Sequence, residues 1–488
     1  MAQAPGHDEL HKPAVDWDRA SVTPGIAHFG VGGFHRAHQA VYTDDLLAAG
    51  RDQDWGIIGI GTMPGDARMR DALAQQDHQY TVVVKHPDGQ REARPIGSII
   101  GYHHAPDDPE AVLALLEDPA IRIVSLTITE GGYHLHPTTG ELDPSDPSLA
   151  HDIAGETPVR SVFGYLVEGL RRRRAAGTPP YTILSCDNLP GNGEIAERMI
   201  CAFAELVDPE LARWMRDEVS FPNCMVDRIT PATTDADTAA LREAGIDDAW
   251  PVVCEPFRQW VMEDKFTAGR PTWEAAGAQV VDDVGPYELM KLRLLNASHQ
   301  AIAYLGHLDG HRYAHEVSSD QLYRDFLMGY MEQEATPTLP AVPGVDLVDY
   351  RQTLLDRFAS PAISDPLARL AAEASDRIPK FLLPVIRANL TSGGPIDRSA
   401  LVVAAWARYC EGTDEQGAPI DVVDRLAEPL MAAAARHDDD LLAFLRNEDL
   451  FGDLVDKARF TERYRELLGQ LRTDGAHATV SRLVQDLS

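Results

Sequence analysis

The sequence predicts an α/β domain built on a parallel sheet, followed by a mostly α-helical domain, and three observations carry that prediction. Short apolar segments alternate with helical patterns through the first half of the 488 residues, as they do where helices cover both faces of a parallel sheet. A glycine-rich turn, Gly30-Val31-Gly32-Gly33, follows the first apolar segment and opens a helix. Beyond an acidic, Pro- and Gly-bearing stretch at 282–286 the strand signals fade. The expected domains are therefore 1–284 and 285–488.

Taken in order, 25–29 reads as the first strand, 37–49 as a helix and 55–60 as the second strand. Residues 80–84 and 121–129 read as further strands, with a helix over 109–117. The helix predicted at 162–174 ends in four arginines, which suits the negative end of a helix dipole, and 181–186 follows as a strand. In the second half the 3.6-residue pattern predicts helices over 289–305, 319–332, 347–357, 366–374, 401–409, 421–435 and 460–471. The Pro-rich stretch 335–345 reads as a surface loop.

Composition excludes several classes. A formal charge of −32, from 44 basic and 76 acidic residues, argues against nucleic acid or an anionic membrane as partner, since both demand a basic face. The acidity reads either as plain solubility or as adaptation to a salt-rich cytoplasm that screens self-repulsion. No run approaches the roughly 18 apolar residues that span a bilayer. The first 19 residues carry no apolar signal core, so a cytoplasmic protein is expected. Five widely spaced cysteines fit reduced thiols and show no zinc-ligand spacing, so no metal is expected. A mass of 53.5 kDa is comfortable for a monomer.

The turn Gly30-Val31-Gly32-Gly33-Phe34-His35-Arg36 stands where a dinucleotide fingerprint requires it, between a strand and a helix, with glycines that let the backbone approach a pyrophosphate. His35 replaces the third glycine of that pattern. Arg36 offers a cation to the phosphates. Asp66, after the second strand, is a candidate for the adenine ribose hydroxyls and hence for NAD, while nearby Arg68 keeps NADP open.

The other candidate site lies on the helix through Glu288, Lys291, Asn296 and His299. On an α-helix, Lys291, Glu288, His299 and Asn296 fall at about 0°, 60°, 80° and 140°, one polar wedge on an otherwise apolar helix. A Lys buried beside leucines loses its proton more readily and can serve as a base. The alternative is a solvated polar face. Only six lysines occur, at 12, 85, 265, 291, 380 and 457, so one retained inside an apolar helix stands out where Arg could not act as a base.

Together these segments resemble the polyol-specific long-chain dehydrogenases. The resemblance runs through His28 to Gln39, Thr127-Ile128-Thr129-Glu130-Gly131-Gly132-Tyr133, Ser185-Cys186-Asp187-Asn188-Leu189, Val226-Asp227-Arg228-Ile229-Thr230-Pro231, Glu255-Pro256-Phe257, the Lys-x4-Asn-x2-His element at Lys291, and Arg377-Ile378-Pro379-Lys380-Phe381. It implies a Rossmann-type first domain, a helical second domain and zinc-free oxidation of a polyol by NAD. The first choice is D-mannitol to D-fructose, with D-arabinitol also accepted. It implies Lys291 as catalytic base, Asn188 and Asn296 as the pair holding the reacting oxygen, and His299, Arg377 and Lys380 as substrate contacts. Glu288 and Glu130 correspond to carboxylates that relay the proton or position the site. The coenzyme would lie against Gly30, Val31, Gly32, Gly33, Phe34, Arg36, Asp66, Val226 and Asp227. Two roles stay open: Asn188 as a cap on the helix after Gly191, and Asp227 as a structural anchor. Hexuronate reduction, fructuronate to mannonate, is the alternative within the class, and a sugar-binding protein that keeps a nucleotide site is the alternative outside it.

Overall fold

The computed structural model describes residues 10–136 and 139–487. The chain divides into two compact units between Gly285 and Pro286, with the short stretch Pro87–Gly89 grouped with the second.

Among the described residues the first unit holds eleven strands: β1 (Pro24–Phe29), β2 (Gly56–Gly61), β3 (Tyr80–Lys85), β4 (Arg91–Ile96), β5 (Ile99–His104), β6 (Ile123–Leu126), β7 (Thr182–Ser185), β8 (Cys224–Asp227), β9 (Val252–Cys254), β10 (Gln259–Glu263) and β11 (Gln279–Val281). Five form a sheet in the order β5-β2-β1-β6-β7, every pairing parallel. The chain moves outward from β1 to β2 and β5, then returns to the other side of β1 as β6 and β7. The order therefore reverses between β1 and β6, and open α/β sheets bind ligands in the crevice beyond the carboxyl ends of such a pair.

Both faces of this sheet are covered, which is why its strands read as near-continuous apolar runs. Alternate residues of a strand point to opposite faces. Ala27, Phe29, Val124, Leu126 and Ile183 pack with the helices Pro109–Glu117, Val162–Ala176 and Asn192–Val207. Ile26, Ile57, Ile123 and Leu184 pack on the other side with the helices Gln39–Ala48 and Ala67–Ala74. Local signals fix the helix ends. Asp108 caps Ala111 N at 3.0 Å ahead of Pro109, and Ser161 caps Gly164 N at 2.9 Å. The Val162–Ala176 helix closes on Gly177 at φ +71°.

Three sequence expectations change. The strand at 80–84 forms but leaves the parallel sheet, since β3 pairs antiparallel with β4 and parallel with β9. The outer strand of the main sheet is instead β5, whose Gly101, His103 and His104 hid its apolar character. The helix expected at 37–49 is broken at His38 (φ −123°, ψ −91°) into Gly33–Ala37 and Gln39–Ala48.

The second unit is helical. The long element expected at 289–305 runs as Gly285–Met290, a widened π turn over Lys291–Asn296, and Ala297–Leu308. The helix expected over 421–435 shortens to Ala427–Ala434, because Pro429 is tolerated only in a first turn. Ahead of it, Asp424 accepts from Ser375 N at 2.8 Å and Ser375 Oγ at 2.6 Å. The element expected at 366–374 ends at Ala371, and a separate helix, Ala374–Phe381, follows. Among the described residues no helix is long and apolar enough to cross a membrane.

Candidate active site

In the first unit, the glycine turn and Asp66 follow the carboxyl ends of the neighbouring strands β1 and β2. Gly30 follows β1 at φ +88°. A Cβ there would stand 2.1 Å from Thr127 O, whereas a Cβ on Gly32 would meet nothing nearer than 3.8 Å. The first glycine thus permits the turn itself, and the second, exposed, leaves backbone that a pyrophosphate can approach. The chain fits a dinucleotide at this turn. Val31 is buried, and half-buried Phe34 stacks on His38 at 4.9 Å.

His35 explains the missing third glycine. That position normally lets helix and strand approach closely. Here its ring lies flat on His28 of β1, centroids 3.4 Å apart and planes 15° apart. His28 is itself tied to Ser125 Oγ at 2.7 Å and Thr127 Oγ1 at 2.9 Å. Burial pushes His28 down to about 3 and holds His35 well below the ordinary histidine range, the latter helped by its neighbours His28 and Arg36. This packing is therefore between neutral rings.

Arg36 does not stand as the sequence suggested. It is 2% exposed, donates to Trp250 O at 2.5 Å and Gly32 O at 3.3 Å, and lies over the rings of Tyr80 and Trp250. Its contacts anchor the glycine turn to the rest of the unit. Asp66 sits just beyond β2, half-buried, with Oδ2 accepting from Met63 N at 2.9 Å. The Arg68 guanidinium lies 4.1 Å from the Trp250 ring centroid. Val226 and Asp227 end β8 and are buried, in the three-stranded sheet β11-β10-β8 rather than the parallel one.

Glu130 and Asn188 follow β6 and β7, both exposed. Asp187, beside Asn188 and not among the sequence-predicted site residues, joins their two loops. Its carboxylate accepts from Ile128 N at 3.1 Å, Thr129 N at 2.9 Å and Tyr133 OH at 2.7 Å. Burial raises this carboxyl above the ordinary range, against the opposing pull of those hydrogen bonds. The clamp holds Thr129 at φ +64°, ψ 168°, a strained conformation for a β-branched residue and one that functional loops retain. The first turn of the helix Asn192–Val207 is held by Asn223, whose Oδ1 accepts from Gly193 N at 2.9 Å and Glu194 N at 3.2 Å.

Buried Glu255 and Arg228 form a second brace. Glu255 Oε1 accepts from Ile229 N at 2.6 Å, and Arg228 donates to Glu255 O at 3.0 Å and Ala37 O at 2.6 Å. These motifs therefore support the glycine-turn helix by direct bonds.

In the second unit, Glu288, Lys291, Asn296 and His299 lie along one helical element. Lys291 and Asn296 are each 8% exposed, so the reading of a solvated polar face fails for both. Their spacing also departs from the α-helical wheel. Across the π turn Ala297 N donates to Leu292 O, five residues back. An i→i+5 turn brings residues five apart close to one face, so Lys291 and Asn296 stand nearer each other than the 140° of an α-helix allows. His299 is half-buried with its ring 4.6 Å from that of Phe358. Arg377 and Lys380 are three apart on the helix Ala374–Phe381 and so share a face. Arg377 donates to Arg369 O at 3.3 Å and Leu370 O at 3.1 Å, while Lys380 is exposed.

The stretch read as a surface loop turns out to strap this helix. Tyr287 OH donates to Pro343 O at 2.7 Å, and the Arg293 guanidinium donates to Thr338 O. Among the described residues no group of three or more His, Cys, Asp or Glu is placed to hold a metal ion.

The comparisons bear on the whole chain. Residues 24–275 match the model of the mannitol dehydrogenase Rossmann domain, and 283–472 match that of the mannitol dehydrogenase C-terminal domain. The chain belongs to the mannitol dehydrogenase family. It is 47% identical over 471 residues to a mannitol 2-dehydrogenase of Phaeosphaeria nodorum, covering 96% of this chain and 82% of that one. A mannitol 2-dehydrogenase of Aspergillus terreus is 45% identical, with 99% and 97% covered. Among solved structures, the Pseudomonas fluorescens mannitol 2-dehydrogenase in ternary complex with NAD and D-mannitol is 45% identical, with TM-score 0.86 and 98% and 97% covered. A substrate-free D-sorbitol dehydrogenase is 35% identical, with TM-score 0.90 and 97% of each chain covered. The family's two-domain architecture, a Rossmann domain then a helical one, is the one the sequence predicted.

Proposed function

We propose that the protein is an NAD-dependent mannitol 2-dehydrogenase that interconverts D-mannitol and D-fructose without zinc. The observation that carries this reading is 45% identity across 98% of the chain to an enzyme solved with NAD and D-mannitol. The Lys291, Asn296 and His299 set, complete on one helix, agrees with it. A binding protein has no use for a buried base, which speaks against the sugar-binding alternative.

NAD, when bound, supplies the acceptor for a hydride from the substrate carbon. Lys291, in its neutral form, takes the proton from the secondary hydroxyl, and in the reducing direction returns it. Asn296 and Asn188 donate to the developing alkoxide with neutral amides, which respond to the charge without fixing a permanent one. His299, its ring set by Phe358, hydrogen-bonds a further hydroxyl, with Arg377 and Lys380 as outer contacts. Glu288, three residues before Lys291, and Glu130 serve proton relay and positioning. Asp66 takes the ribose hydroxyls. The five cysteines are buried and free, which fits a reducing compartment such as the cytoplasm.

Reduction of NAD, monitored by absorbance with mannitol, arabinitol and sorbitol, tests the reading, with D-mannitol expected to give the highest kcat/KM. Comparing fructose with fructuronate under NADH decides against hexuronate. A buried uronate carboxylate needs a paired cation, so fructuronate reduced far more efficiently than fructose would overturn the assignment.

A further inference from the structure

Tyr330 lies 39 residues beyond Lys291 in sequence and was no candidate for the site. Its side chain is fully buried, and its hydroxyl donates at 3.0 Å to the carbonyl of Arg293, in the middle of the π turn that separates Lys291 from Asn296. Tyr330 itself opens a second π turn, Tyr330–Ala335, across which Thr336 N donates to Met331 O. Two such turns, each rare and each looser than α-helix, are thus joined by one hydroxyl. Burial raises the phenol far above its ordinary range, so it remains a donor at any working pH. The Arg293 guanidinium donates to Thr338 O, a contact separate from the bond that its backbone carbonyl accepts from Tyr330.

We infer that Tyr330 is a positioning residue: its hydroxyl holds the widened turn and thereby sets where Lys291 stands relative to Asn296. The inference rests on the reading of Lys291 as base and Asn296 as oxygen ligand. A π turn carries one residue more than an α turn. Without the clasp at Arg293 the turn relaxes toward α geometry, and each residue of register shift rotates the downstream helix by about 100°. Base and amide would then no longer meet one reacting hydroxyl, and displacement of about 1 Å is enough to cost two orders of magnitude in rate.

The test is Tyr330→Phe, which removes one hydroxyl and keeps the ring in place. Kinetics are measured on whichever polyol the wild-type protein oxidises fastest. Mannitol failing in that panel defeats the substrate assignment, while the variant comparison still decides this inference. The expected result is kcat lowered at least about tenfold, with KM for polyol and Kd for NAD within about threefold. Amide hydrogen exchange across residues 291–298 should accelerate at the same time. Unchanged exchange would show that the hydroxyl does not hold the turn. Faster exchange with unchanged kcat would make Tyr330 a stabilising residue only, and either result overturns the inference. Arg293→Met, which leaves the carbonyl bonded to Tyr330, is the companion variant. It is expected to keep kcat within about threefold, and a loss as large as that of Tyr330→Phe would reassign the effect to the Arg293 side chain.

Discussion

Gly30 and Thr127 interlock at the mouth of the parallel sheet: the Thr127 hydroxyl donates to Gly30 O at 2.5 Å, and a Cβ on Gly30 would stand 2.1 Å from Thr127 O. Conformation and space both demand glycine, and the two loops flank the crevice between β1 and β6. Gly30→Ala must therefore push these loops apart. NAD affinity is expected to fall at least about tenfold, or ~1.4 kcal/mol, with a lower melting temperature. Titration of coenzyme fluorescence checks this, and an unchanged Kd would detach the turn from coenzyme binding.

Lys291→Ala should lower kcat by at least about two orders of magnitude, the scale of general acid–base catalysis. Added primary amines should restore part of it. Lys291→Arg keeps a cation but no base and should be equally impaired. Near-normal turnover in either variant would remove Lys291 from the chemistry.

How far the sequence carried the structure depends on whether each feature is local. Apolar runs and a glycine turn showed the parallel sheet, because parallel strands are buried on both faces. The destination of Tyr80–Lys85 was hidden, since pairing with Val252–Cys254 joins segments far apart in the chain. Lys291, Asn296 and His299 were legible as residue types at a spacing, but a π turn has no sequence signature, so the wheel angle between Lys291 and Asn296 came out too wide. Arg36 was misplaced because its acceptor, Trp250 O, is 214 residues away. Asp187 lay in plain view beside Asn188, and only the fold shows that it clamps Thr129.

Asp66 is expected to set the preference for NAD. It lies just after β2, and the Arg that would accept a 2′-phosphate rests on Trp250. Asp66→Ala should raise Kd for NAD more than for NADP. Measuring kcat/KM with both coenzymes checks this, and an unmoved ratio would place the ribose contact elsewhere.

The charge of −32 predicts that stability rises with ionic strength as self-repulsion is screened. Thermal melts across a salt series report it. A flat series would leave the acidity as a matter of solubility.

The histidines beside the glycine turn predict loss of stability in mild acid. Burial pushes His28 and His38 each down to about 3, against an ordinary value of about 6.5 in the unfolded chain. Between those values the unfolded state binds the protons and the folded state does not, so stability rises with pH through this window. It is fully present above about pH 6.5 and declines as pH falls toward 3. Well inside the window each histidine adds a slope of about 1.4 kcal/mol per pH unit, so the pair should remove about 3 kcal/mol between pH 6.5 and 5. Most carboxylates remain ionised over that interval. Urea unfolding at half-unit steps reads the slope directly. His28→Asn carries no titrating group and should take about 1.4 kcal/mol per pH unit off the measured slope. A wild-type slope near zero above pH 5 would mean that these rings accept protons inside the folded protein, and the packing of His35 on His28 would then need to admit a charge.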